Sequence, residues 1–294
     1  MSTVFRCAVS ARDRQDPLIG SAPQARRWLL IEHQGPWAVD ALAGSRLSSE
    51  VLELLTRTAQ EQGARPLLIR RPGRSGGAGP RAWAVSYEEG VTAWGSWSTD
   101  DDLRAAAAAL SLPAPPADAL PGEILLVCAH GVHDACCAIR GRPVAAALGT
   151  EWPAATWECS HVGGDRFAPN VVLLPDGVYY GLLDAANAVD TVRRHLAGEV
   201  VVPFLRGFSR AAPPAQAAIA AVHERYGPFP ADHVQVLDLE YASPGRWRVE
   251  LAARGGGHWR ATVTSSRRPP ARLTCRAGAA TPATAYDVAE LVPA

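Results

Sequence analysis

Val171-Val172-Leu173-Leu174-Pro175-Asp176-Gly177-Val178-Tyr179-Tyr180-Gly181-Leu182-Leu183 is the stretch whose reading decides the fold. Two apolar runs rich in β-branched and aromatic residues flank Pro-Asp-Gly, a strong turn signal, so Val171–Leu174 and Val178–Leu183 read as a hairpin. Asp184 then caps a helix running to about Ala197. Working backwards, Ala155–Cys159 and Ile124–Val127 are apolar enough for strands. Between them Cys136–Leu148 reads as a helix, interrupted early by Gly141 and Pro143. The segment therefore runs strand, helix, strand, hairpin, helix.

The same order stands earlier in the chain. Trp28–Ile31 and Pro66–Ile69 read as strands around a helix over Leu47–Gln62 that stops at Gly63. Ala82–Tyr87 and Val91–Trp97 flank Glu88-Glu89-Gly90 as a second hairpin, and Asp100–Asp102 cap an alanine-rich helix ending near Leu110. Leu29-Leu30-Ile31 with Gly35 and Asp40 aligns with Leu125-Leu126-Val127 with Gly131 and Asp134, which points to an internal duplication. A crossover helix followed by an antiparallel hairpin is the core pattern of a thioredoxin-like α/β sandwich. The expected fold is α/β, with tandem thioredoxin-like domains, the first degenerate, plus a small C-terminal antiparallel β region.

The proline-rich stretch Leu112–Gly122 separates the halves, and beyond Arg206 the texture changes. Pro213–Tyr226 reads as a helix with proline in its first turn. Val234–Tyr241, Arg246–Ala252, His258–Thr264 and Ala271–Cys275 read as strands of a small cap in which nothing suggests chemistry. The expected domains are 1–118, 119–208 and 209–294.

Composition narrows the function. The 294 residues carry 29 basic and 29 acidic groups, so no strong field invites nucleic acid or an anionic membrane. The basic residues are all arginine, and without lysine neither a Schiff base nor a P-loop can be built. The absence of lysine fits a GC-rich genome better than a mechanism. Residues 1–27 have no apolar core of a signal peptide, and no apolar run approaches the length of a membrane span. A reducing cytoplasm is the expected compartment, where clustered cysteines are metal ligands or redox groups more often than bridges.

Four of the 6 cysteines and three of the 8 histidines fall between Cys128 and His161, directly after predicted strands. Soft thiolates and imidazoles converging from two loops select zinc, copper or an iron–sulfur cluster over magnesium or calcium. Gly163-Gly164 would let the backbone approach a cofactor closely. Cys136 and Cys137 are adjacent, so one points away from whatever the other holds. His130 and His133 read as loop hydrogen-bonders, and Cys7 and Cys275 as solitary structural residues. The first half has Glu32 where Cys128 stands and is otherwise bare of such groups. No C-x-x-C is present for thiol exchange, and no G-x-S-x-G for a hydrolase.

Cys128-Ala129-His130-Gly131 through Cys137, followed by Trp157-Glu158-Cys159-Ser160-His161-Val162-Gly163-Gly164-Asp165-Arg166-Phe167-Ala168-Pro169-Asn170, resembles the sucrase/ferredoxin-like family. The likeness extends to Trp28-Leu29-Leu30-Ile31-Glu32, Gly35-Pro36-Trp37 and Leu273-Thr274-Cys275. The resemblance implies a [2Fe-2S] cluster in a thioredoxin-like domain, used for one-electron transfer, a carrier more than an enzyme in its own right. It also implies a redox partner protein, a reductase or an oxygenase. Cys128, Cys137 and His161 match three ligand positions of that family, whose pattern of two thiolates and two imidazoles places histidine where this chain has Asp165. Two candidates stand for the fourth ligand. Asp165 holds the family position, whereas Cys159 is the softer donor and in an extended chain points to the same side as His161. The competing readings are a structural or regulatory zinc site on the same residues, and an interaction module with a vestigial site. An imidazole ligand in place of a thiolate raises the expected potential above that of plant-type ferredoxins.

Overall fold

The computed structural model describes residues 4–73 and 79–294. Its large sheet has nine strands, in two parts that meet edge to edge. In the first part β1 (Arg27–Glu32) runs parallel to β2 (Ala64–Arg70), and a crossover helix, α2 (Ser49–Glu61), joins them. β3 (Arg81–Ser86) pairs antiparallel with β1 and turns into β4 (Thr92–Trp97), after which comes α3 (Arg104–Ser111). In the second part β5 (Ile124–Cys128), α4 (Ala135–Glu151), β6 (Thr156–Cys159), β7 (Val171–Leu174), β8 (Val178–Tyr180) and α5 (Ala188–Leu196) repeat that order. The strand orders β4-β3-β1-β2 and β8-β7-β5-β6 correspond position by position. β2 and β6 join the two parts antiparallel through Ile69↔Cys159 and Arg70↔Glu158, where an Arg70–Glu158 ion pair of 2.8 Å closes the seam.

Alternation along the central strands sorts side chains to two faces. Leu29 and Ile31 pack under α2 and α3, while Leu125 and Val127 pack under α4 and α5. Trp28, Leu30, Leu126 and Cys128 point to the opposite face, a single apolar layer shared by both parts. A short helix, α1 (Cys7–Asp13), and the segment around Ala22 and Ala25 cover that layer.

Several local readings of the sequence change. Gly141 and Pro143 do not interrupt α4, which is continuous over Ala135–Glu151. Gly141 is there for packing: a Cβ at that position would lie well inside contact distance of the Cys128 carbonyl oxygen. β8 is shorter than expected, and Asp184 accepts from the backbone N–H groups of Ala186 and Asn187 in a turn ahead of α5. A further strand, β9 (Leu205–Phe208), extends the sheet beyond β8.

The helix α6 (Pro213–Tyr226) has the expected bounds. It is alanine-rich because it is enclosed, lying between the large sheet and a separate four-stranded antiparallel sheet. That sheet consists of β10 (Val234–Ser243), β11 (Arg246–Ala253), β12 (His258–Arg267) and β13 (Thr284–Pro293). Its last strand is not Ala271–Cys275. That segment makes one isolated bridge, Ala271↔Thr281, and the N–H of Cys275 is turned to the Asp134 carboxylate. Gln216 is fully buried on α6 and satisfied, exchanging both amide bonds with the backbone of Ala22.

Two outcomes follow from these packings. Gly141→Ala should cost about 1–3 kcal/mol in urea unfolding, since α4 must lift from β5 to admit a methyl group. His223, buried on α6 beside Phe208, has no hydrogen-bond partner on either ring nitrogen among the described residues. Burial, with the charges of His233 and His195, pushes its pKa down from 6.5 to about 4. The unfolded chain therefore binds the proton first, and stability present above pH 6.5 falls as the pH drops toward 4, by about 3 kcal/mol in all. His223→Phe should flatten that part of the acid dependence, read as urea midpoints of the two proteins between pH 7 and pH 4.

Candidate metal centre

The carboxyl end of β5 and the start of α4 are joined by Ala129–Asp134. Asp134 caps α4, its side chain accepting from the backbone N–H of Cys136 at 2.8 Å. Helical geometry then sends the adjacent thiols apart. Cys137 turns inward, where its Sγ lies 3.2 Å from Asp165 Oδ1, and Cys136 turns toward the N-terminal segment.

Cys128, Cys137 and His161 bring their donor atoms within 4.8 Å of one another, and so do His133, His161 and Asp165. His161 belongs to both groups, and its Nδ1 stands 2.9 Å from Asp165 Oδ1. The two thiols and Asp165 are buried, whereas the His161 side chain keeps 26% of its surface in solvent. The centre is thus closed on the thiol side and open along the stacked imidazoles of His161 and His133.

Electrostatics divides the donors. The hydrogen bond from Cys137 brings the Cys128 thiol well below its ordinary pKa despite burial, and His161 adds to that effect. The same bond, with burial and the charge of Asp165, holds Cys137 protonated. Burial opposes the charge on His161, but Asp165 and Cys128 outweigh it and raise the imidazole to about 9. Asp165 is likewise kept below the ordinary carboxylate range, against burial, chiefly by His161. Such a set is primed to exchange protons for a cation.

Cys159 does not join either group. It is fully buried opposite Cys128 in the β5–β6 register, within the apolar layer, and burial raises its thiol pKa well above the usual value. Gly163 and Gly164 both have positive φ, +86° and +74°. The space that their missing side chains leave is filled by Pro23 and Arg206 rather than opening toward the thiols. Arg206, completely buried, is a residue that sequence reasoning missed. It donates to the Gly163 carbonyl and to Asn170 Oδ1, each at 2.9 Å, and Asn170 Nδ2 donates to the Gly164 carbonyl at 3.0 Å. Burial pushes its pKa down to about 10. The loop that carries His161 and Asp165 is shaped by this one guanidinium.

The half without donors also takes part. His130 Nε2 lies 2.7 Å from the carbonyl of Ala38, and His133 Nδ1 lies 3.1 Å from that of Val39. Both histidines are therefore the loop hydrogen-bonders expected, yet His133 also stacks on His161 at 3.7 Å between ring centroids. Arg65 of β2 donates to the His161 carbonyl at 3.1 Å, and the N–H of Leu68 donates to Ser160 Oγ at 3.0 Å. Cys7 and Cys275 are not solitary: with Cys136 and Asp134 they form a second group of close donors.

Two buried thiols, an imidazole and a carboxylate form a donor set of the kind that holds zinc or the irons of a small iron–sulfur cluster. Among solved structures, two cysteine-to-serine variants of the thioredoxin-like [2Fe-2S] ferredoxin from Aquifex aeolicus match at 23% identity. Each match covers 29% of this chain and 97% of that one, with a TM-score of 0.25. No curated protein matches. The family model described as sucrase/ferredoxin-like matches residues 18–207, which include both strand-end loops and Arg206. The chain belongs to the sucrase/ferredoxin-like family.

Proposed function

We propose that the protein is a one-electron carrier whose [2Fe-2S] cluster is held by Cys128 and Cys137 on one iron and by His161 and Asp165 on the other. The observation that carries this reading is the convergence of two buried thiols with a buried Asp165 and a partly exposed His161. Asp165 is favoured over Cys159 as fourth ligand because its carboxylate reaches both Cys137 and His161, while the Cys159 thiol is not among the donor atoms that converge. When bound, the cluster supplies one-electron oxidation and reduction. The chain supplies the rest. The apolar layer keeps water from the thiolates, and Arg206 holds the His161–Asp165 loop in shape. The exposed edge of His161 is the shortest way from the centre to a docked redox partner, a reductase or an oxygenase. His161 is also the group able to take a proton when an electron arrives.

The two parts of the large sheet are read here as tandem thioredoxin-like modules, residues 1–118 and 119–208, with 209–294 as a cap. The matching strand orders support this division. All the proposed cluster ligands come from the second module, and the first acts as its support through Arg65 and the carbonyls of Ala38 and Val39.

Protein purified without oxygen should be red-brown and bleach on dithionite, and the reduced form should give an electron paramagnetic resonance signal of a two-iron centre. Asp165→Ala should abolish or shift that signal, whereas Cys159→Ala should leave it in place. The opposite pattern would move the fourth ligand to Cys159. Colourless protein with stoichiometric zinc would overturn the carrier reading. The potential should lie above the roughly −400 mV of plant-type ferredoxins and fall with rising pH, by at most about 59 mV per unit. A pH-independent potential near −400 mV would remove His161 from the ligand set.

A further inference from the structure

The second group of donors is built from three distant parts of the chain. Cys7 comes from α1, Cys136 from the first turn of α4, and Cys275 from the segment between β12 and β13. Cys275 Sγ lies 3.5 Å from Cys136 Sγ and 3.5 Å from Cys7 Sγ. The backbone N–H of Cys7 also donates to Cys275 Sγ at 3.4 Å.

Asp134 fixes the frame of this group. Its fully buried carboxylate accepts from the N–H of Cys136 at 2.8 Å and from the N–H of Cys275 at 2.6 Å, and it receives the Cys7 thiol at 3.5 Å. One side chain thus ties the start of α4 to the 271–275 segment and sets all three sulfurs around one point. Cys7 and Cys136 are buried, and Cys275 is partly exposed, which leaves a way in from solvent.

The spacing fits a shared metal ion and not a disulfide. A disulfide needs its sulfurs at about 2.0 Å. Three thiolates on one tetrahedral zinc, with Zn–S near 2.3 Å, lie about 3.8 Å apart, within a few tenths of an ångström of what is found here. Two buried thiols and a partly exposed third stand beside a buried carboxylate, and a cation among them would offset the cost of burying that charge beyond what its two backbone N–H bonds recover. Arg12 and Arg166 stand close enough for their charges to act on Cys136 and Cys7, offsetting part of the negative charge that a thiolate site accumulates.

We infer that Cys7, Cys136 and Cys275, with Asp134 as the adjoining oxygen donor, form a second metal site that takes a single zinc ion and clasps α1, α4 and the 271–275 segment together. Binding displaces the thiol protons to solvent and forms three zinc–sulfur bonds, with no change of oxidation state. The site is separate from the proposed cluster. The adjacent residues Cys136 and Cys137 serve one each, from opposite sides of the same helical turn.

The test is metal analysis of the full-length protein after addition of zinc chloride, alongside Cys7→Ser, Cys275→Ser and Cys128→Ser. The expected result is about one zinc per chain. It should be lost in Cys7→Ser and Cys275→Ser with iron and visible absorption retained, and kept in Cys128→Ser, in which the absorption is lost. This pattern separates the zinc inference from the carrier reading, because each variant removes one metal and spares the other. Zinc retained in both serine variants would overturn the site, as would a Cys7–Cys275 or Cys136–Cys275 disulfide in zinc-free protein, or iron in place of zinc. Should a variant fail to fold, a chelator applied to the wild type supplies the second measurement. The melting temperature should drop by several degrees and recover on return of zinc chloride alone. A melting temperature indifferent to zinc would overturn the clasp.

Discussion

Everything at the candidate centre depends on how closely α4 approaches the end of β5. Without a side chain at Gly141, the helix backbone rests against the carbonyl of Cys128. That contact brings the first turn of α4 level with the strand end, so that Cys137 meets Cys128 and Asp165. A helix displaced by the width of a methyl group would separate the two thiols, and their mutual hydrogen bond, which lowers one pKa and raises the other, would go with it. Asp134 completes the arrangement by capping that turn and reaching beyond it to Cys275.

The first part of the large sheet holds the loops of the second in place. Its β2 supplies Arg65 and the backbone of Leu68 to the loop that carries His161, and its Ala38–Val39 carbonyls anchor His130 and His133. Strands that supply none of the Cys128, Cys137, His161 and Asp165 donors in this way orient them. The opening of the centre, limited to the stacked edges of His133 and His161, is a product of both parts.

Much of this was legible in the sequence because it is encoded locally. The hairpins at Pro175-Asp176-Gly177 and Glu88-Glu89-Gly90, the helix stop at Gly63 and the bounds of α6 all follow from turn chemistry and periodicity over a few residues. The clustering of Cys128, Cys137, His161 and Asp165 was legible for the same reason, since two short stretches of sequence carry all four, although Cys159 stood level with Asp165 as fourth ligand. What was not legible depends on contacts far apart along the chain. α1 has 7 residues and little intrinsic stability, and β9 has 4; both exist because the rest of the fold receives them. Ala271–Cys275 alternates as a strand should, but its N–H groups find Asp134 and Thr281 instead of a ladder. Cys7 and Cys275 stand 268 residues apart, and nothing near either announces the other. Gly141 looked like a helix breaker because its use, a close approach to another strand, cannot be seen from its neighbours.

The seam between β2 and β6 has a consequence for the integrity of the chain as a unit. It rests on two residue pairs, yet it covers the inner edge of each half-sheet. A half released from the other would present Leu67, Leu68 and Ile69, or Trp157 and Cys159, along an unpaired strand, a template for pairing with other chains. The pairing of β2 with β6 thereby turns two vulnerable margins into a shared interior. The margins that remain are β4 and β9, and in β4 Gly95 and Ser96 interrupt the apolar run.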